Sequence, residues 1–148
     1  MSALIIVDAQ NDNITTSREA HDAIFIINMI REQNPWVMIV RAELSHDPDG
    51  THTHCIKGTS GASAPLHLVT SPDDVVIYKS QPSAFNDSLA TLLKAAGVTE
   101  VIICGFDTDF SIRKTAQDSV AAGFETGIFF NASHFTSKEE YLALKEKY

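Results

Sequence analysis

The sequence predicts an α/β fold: a doubly wound parallel β-sheet of five or six strands with helices on both faces. Two observations carry that prediction. Short apolar runs recur along the chain, among them Leu4–Val7, Val75–Tyr78 and Val101–Cys104, and they are apolar on both faces, as strands covered on both sides are. Amphipathic helical stretches separate them, and strands alternating with helices of this length imply right-handed crossovers into a parallel sheet. The 148 residues are read as one domain, 1–148, with no internal repeat, low-complexity segment or linker.

The elements follow in order. Leu4–Val7 is the first strand, and a polar stretch from Asn11 to Ser17 follows it. Ser17 is placed to cap a helix running to about Gln33, with Ala20, Ala23, Ile24, Ile27 and Ile30 as its apolar stripe. Pro35 breaks that helix, and Trp36–Val40 reads as the second strand. From Arg41 to Asp74 the chain is irregular and rich in His, Gly, Ser, Thr and Pro; a loop of that length within a compact domain is usually functional. Asp74–Tyr78 is the third strand, and a helix from about Asn86 to Ala96 ends at Gly97, a suitable C-cap. Glu100–Cys104, a helix over Phe110–Ala122, Thr126–Phe130 and a solvated helix from about Ser137 complete the reading.

Composition narrows the function classes. The chain is 44% hydrophobic and 20% charged, as folded soluble proteins are. Its net charge of −8 and scattered basic residues argue against nucleic acid or an anionic membrane surface as partner. The partner expected is a small-molecule substrate. No apolar run is long enough to span a bilayer, and the N-terminus enters a strand without a charged leader, so no signal peptide is expected. Of the two cysteines, Cys104 lies inside a strand, so no structural disulfide is expected, and a reducing cytoplasm is the default location.

Three polar signals stand where apolar strands end: Asp8, Lys79, and the turn Gly105–Ser111. In an open parallel sheet the carboxyl ends of the strands share one edge, and ligands bind there. A carboxylate at such an edge is partly desolvated, which raises its pKa and suits it to moving protons. A lysine beside it would hold it ionised and lend positive charge to a developing oxyanion. A hydroxyl at the start of a helix sits among amides that favour negative charge, yet a serine there still needs a base. Taken singly, Asp8 is equally a turn former, Lys79 a strand-end lysine reaching solvent, and Ser111 a plain helix-start hydroxyl. In the long loop, Glu43, His46, His52 and His54 form a candidate site for a divalent metal such as zinc, against the plainer reading of exposed loop histidines.

Together these segments resemble the isochorismatase-like hydrolase superfamily, and within it the nicotinamidase-type cysteine hydrolases. The resemblance rests on four elements in order: Asp8-Ala9-Gln10-Asn11-Asp12; His54-Cys55-Ile56-Lys57-Gly58-Thr59-Ser60-Gly61-Ala62; Lys79-Ser80-Gln81-Pro82-Ser83-Ala84-Phe85; and Gly105 to Ser111 followed by Thr115-Ala116-Gln117-Asp118. It implies that Asp8 is the general acid/base, Lys79 its charge partner and Ser111 the occupant of the nucleophile position. It further implies a cis peptide at Phe106–Asp107, an oxyanion hole built from the amides of Asp107 and Ser111, and His54 as a metal ligand. Glu43 and His46 fall near the other ligand positions, although the Asp-x-His pattern is not intact. No cofactor is required for the triad chemistry. Members often form dimers or tetramers, so a homo-oligomer is expected.

The departures are as informative. Ser111 stands where the relatives keep cysteine, Asn13 where they usually have Phe, and Thr51 where they have Trp. The missing aromatics hold a flat ring, which weakens the case for nicotinamide. The expected function is hydrolysis of a small amide or related C–N bond. The alternative is a family member without covalent catalysis, one that uses Asp8 alone or only binds a small ligand.

Overall fold

In the computed structural model the described residues are 1–14 and 17–148, and the side chains of Thr108 and Asp109 also lie outside the description. Of the polar stretch expected over Asn11–Ser17, Thr15 and Thr16 therefore fall outside the described residues. The strands are β1 (Ser2–Val7), β2 (Met38–Leu44), β3 (Val75–Lys79), β4 (Glu100–Gly105) and β5 (Glu125–Ser133). The helices are α1 (Arg18–Gln33), α2 (Asp87–Ala95), α3 (Arg113–Ala121) and α4 (Lys138–Lys147). The described strands form one five-stranded sheet in the order β3-β2-β1-β4-β5, with every pairing parallel.

β1 lies in the middle and is buried on both faces. Ala3, Ile5 and Val7 pack with Leu89 and Leu93 of α2 and Ala116 of α3, whereas Leu4 and Ile6 pack with Ala20, Ala23, Ile24 and Ile27 of α1. The helices thus cover both faces, and the predicted stripe of α1 is the one buried. Ser17 caps α1 through its side chain, which accepts from the Ala20 N–H, and Asn86 does the same for α2 through Leu89. Gly97 ends α2 at φ +78, where a side chain would be strained, and the Val98 N–H closes onto the Leu93 carbonyl.

The structure moves several predicted boundaries. The second strand begins at Met38, because the Trp36 indole N–H donates to the Ile30 carbonyl and keeps that residue in the turn after α1. It also runs on to Leu44, four residues into the stretch read as irregular. The charged side chains there are satisfied laterally. Asp74 accepts from both Arg31 nitrogens, at 2.5 and 3.1 Å, and from Arg41 Nε at 3.1 Å, while Arg41 Nη1 lies 3.3 Å from Glu43. β5 extends to Ser133, three residues past the apolar run, after a register shift opposite Ile103 and Gly105. The helix expected from Phe110 begins as a single π turn, Thr108–Ile112, and becomes α-helical at Arg113.

The chain builds outward from β1 to β2 and β3, then returns to place β4 on the other side of β1. The carboxyl ends of β1 and β4 therefore flank the point where strand order reverses, the crevice in which such sheets bind ligands. The backbones approach closely there. Gly105 has φ +122, and a Cβ on it would lie 2.1 Å from the Val7 carbonyl oxygen.

Two stability predictions follow from this architecture. Asp74→Ala should cost about 3–5 kcal/mol in urea unfolding, because it leaves Arg31 without its carboxylate, and Arg41 with only Glu43, in a largely buried site. Burial alone would raise the Asp74 carboxyl, but the bonds from Arg31 and Ser71 and the charge of Arg41 hold it below its ordinary value. Its contribution should therefore be complete above about pH 4 and fade as pH falls through the lowered native value, so the urea midpoints of wild type and Asp74→Asn should converge in acid. Gly105→Ala should lose about 3 kcal/mol through backbone strain, read by the same unfolding experiment.

Candidate active site

Asp8 is the first residue beyond β1 and adopts φ +52, a conformation that aspartate tolerates better than most residues. Its backbone N–H donates to Ala42, and the Asn13 side-chain amide donates to its carbonyl. These contacts turn a carboxylate that is only 3% exposed into the crevice. Lys79, the last residue of β3, reaches past the end of β2 and sets its Nζ 2.8 Å from Asp8 Oδ1. The contact is close but not aligned as a hydrogen bond, so charge carries it. The ammonium donates instead to the carbonyls of Gln81 and Pro82, at 3.0 and 2.9 Å.

Ser111 completes the group. It lies in the π turn before α3, is 7% exposed and lines the same cavity as Asp8, close enough for its hydroxyl to help hold the Asp8 carboxyl down. Burial pushes the Asp8 carboxyl above its ordinary value, while Lys79 and Ser111 pull it back. Burial likewise lowers the Lys79 ammonium, with Asp8 opposing. Asp8, Lys79 and Ser111, read from three separate strand ends, are therefore gathered at one place. They adjoin a cavity of about 280 Å³ lined by Asp8, Asn13, Leu44, His46, His54, Ser80, Gln81, Pro82, Phe106, Asp107, Phe110 and Ser111. That space suits a small molecule. The Phe106–Asp107 peptide at its rim is cis.

Of the four candidate metal ligands, the three imidazoles cluster but Glu43 does not join them. The buried His46 ring packs edge-on against His52 at 3.7 Å between centroids and lies 5.6 Å from His54. Glu43 turns instead to Arg41 and stays out of the cavity that His46 and His54 line. Among the described residues, no group of three or more His, Cys, Asp or Glu side chains is arranged to hold a metal ion. The donor set expected for zinc does not fit as it stands. Burial and the neighbouring imidazoles hold His46 below its ordinary pKa, which favours its neutral form.

Several residues at the site carry no sequence signal of their own role. Gln10 belongs to the first motif, yet its part is architectural: fully buried, it donates to Leu44 and Ala62 and accepts from the Leu44 N–H. Cys55 is buried near Asp8 and Lys79 at φ +50. Its thiol is pushed up to about 11 by burial and by the charges of Asp12 and Asp8, so it remains protonated and is a poor nucleophile. His134, at the end of β5, places Nδ1 2.9 Å from Asp107 Oδ1. It follows the part of β5 that the apolar pattern does not reach, and no motif marks it.

The isochorismatase domain profile matches residues 2–146. The chain belongs to the isochorismatase family. It is 29% identical over 174 residues to the nicotinamidase/pyrazinamidase of Mycobacterium tuberculosis, covering 99% of this chain and 94% of that protein. It is 28% identical over 148 residues to a probable inactive nicotinamidase of Arabidopsis thaliana, covering 83% of this chain and 74% of that one. Pyrazinamidase of Pyrococcus horikoshii, solved in complex with zinc, superposes with a TM-score of 0.83 at 25% identity and covers 99% and 93% of the two chains. This family member thus has amide hydrolases among its relatives, and one relative described as inactive. No helix among the described residues is long and apolar enough to cross a membrane.

The electrostatics of the pair are open to direct measurement. Since Lys79 lowers the Asp8 carboxyl against the effect of burial, Lys79→Met should raise it further. Carboxyl carbon NMR should show the Asp8 midpoint above 3.8 in the unaltered protein and higher still in the variant.

Proposed function

We propose that this protein hydrolyses a small amide or related C–N bond through Ser111, Asp8 and Lys79. The observation that carries this reading is the Lys79–Asp8 ion pair at the edge of a small cavity that Asp8 and Ser111 line together. Asp8 accepts the Ser111 proton as Oγ attacks the substrate carbonyl, giving a tetrahedral intermediate. The amides of Asp107 and Ser111 are assigned to the oxyanion, with the Lys79 charge close by. Asp8 then returns its proton to the leaving nitrogen as the C–N bond breaks, leaving an acyl ester on Ser111. Water clears that ester, with Asp8 taking the water proton and Ser111 recovering its own. No step is assigned to a metal, and a soluble cytoplasmic homo-oligomer remains part of the proposal.

The second reading is a member without covalent catalysis, in which Asp8 acts alone or the pocket only binds. The serine favours it, because a hydroxyl is far harder to ionise than a thiol and a carboxylate is a weak base for it. The upward displacement of Asp8 also suits an acid that protonates a substrate directly.

Hydrolysis of a panel of small amides separates the two. Ser111→Cys should raise the rate by about 10²-fold or more, and adding Asp8→Asn should remove the gain, by about 10²–10⁴-fold. If the unaltered protein, the Cys variant and the double variant are equally inert, the covalent amidase reading fails.

A further inference from the structure

We infer that the pocket selects amides carrying a positively charged group and rejects those carrying a carboxylate, with Asp107 as the specificity-determining side chain. This deepens the amidase reading and rests on it only for the amide head of the ligand. Asp107 lies two residues beyond the end of β4, and its side chain is 37% exposed while lining the cavity. The carboxylate therefore faces the space a ligand would fill. It is also held in place: Oδ1 meets His134 Nδ1 at 2.9 Å, and the largely buried His134 ring lies against Phe106 at 5.7 Å between centroids.

The other charges reinforce that polarity. Asp8 also lines the cavity, but its charge is matched at 2.8 Å by Lys79, whose ammonium also donates to the Gln81 and Pro82 carbonyls. Among the described residues lining the cavity there is no lysine or arginine. A carboxylate-bearing substrate would meet two carboxylates and no lining lysine or arginine to receive it. A cationic group, in contrast, finds the Asp107 carboxylate and the ring of Phe110, which is 58% exposed at the cavity. At longer range the net charge of −8 draws cations toward the molecule and repels anions.

Three amides of nearly equal size test the inference: β-alaninamide as the cation, butyramide as the neutral form and succinamate as the anion. Binding to the whole protein, followed by amide-resolved NMR titration, does not require turnover. β-Alaninamide should bind about tenfold or more tightly than butyramide, the usual worth of a charge-assisted hydrogen bond, and succinamate most weakly. Asp107→Asn should reduce the cation-to-neutral ratio by about tenfold, whereas Asp107→Glu should keep its direction. Equal binding of the three, tighter binding of succinamate, no binding of any, or a ratio untouched in Asp107→Asn would overturn the inference. A protein that sorts the amides by charge yet cleaves none would sink the hydrolase reading and leave this one standing. A protein that cleaves all three alike would do the reverse.

Discussion

A carboxylate buried at the end of the central strand has to be matched, and much of the site follows from how Asp8 is matched. Taking such a group out of water costs several kcal/mol unless an opposite charge and hydrogen bonds replace the solvent. Here the charge comes from Lys79, two strands away, because β2 separates β3 from β1 in the sheet. The pairing thus depends on parallel register across three strands: Val7 opposite Ala42, and Leu44 opposite Lys79. A slip of one residue would turn either side chain to the other face of the sheet. The pair reports that the sheet is correctly assembled as much as it serves chemistry.

The segment after β1 explains how an irregular loop as long as the one following β2 is held in place. Gln10 bonds the end of β2 and the turn at Ala62, Asn11 reaches the Ser60 carbonyl, and Asp12 accepts the Cys55 N–H. Each replaces with a side chain the backbone partner that a loop cannot find within itself. One short motif therefore presents the carboxylate of Asp8 and fastens the loop that forms part of the cavity wall through His54. A substitution at Gln10 or Asp12 would disturb the site without touching a reacting atom.

Within that scaffold, Ser111 stands at the cavity beside Asp8 but lacks the acidity of a thiol. The arrangement around it remains costly: a buried ion pair, a left-handed aspartate and a glycine at close backbone approach. Features of this kind persist where the surrounding structure holds them and often mark functional sites. Asp107 and His134 add a second acid and imidazole on the far side of the crevice, where charge selection rather than bond making is their natural task.

The sequence by itself determined the sheet, its parallel sense and the faces of its helices, because period and apolarity encode burial on one or both sides. Leu4–Val7 and the α1 stripe were legible for that reason, and so was the gathering of Asp8, Lys79 and Ser111 at strand ends. The far end of β2 was not, since Arg41 and Glu43 look like loop residues until Asp74 and Arg31 arrive from other segments to neutralise them. The end of β5 and the His134–Asp107 contact were hidden likewise, as they depend on a register shift between strands and carry no local pattern. The histidine cluster shows the converse: spacing placed three imidazoles in one loop, but the direction of Glu43 and the packing of His46 were settled only by what each touches in the folded chain. Local pattern specifies which residues are buried, whereas the partner of a buried charge is chosen by tertiary structure.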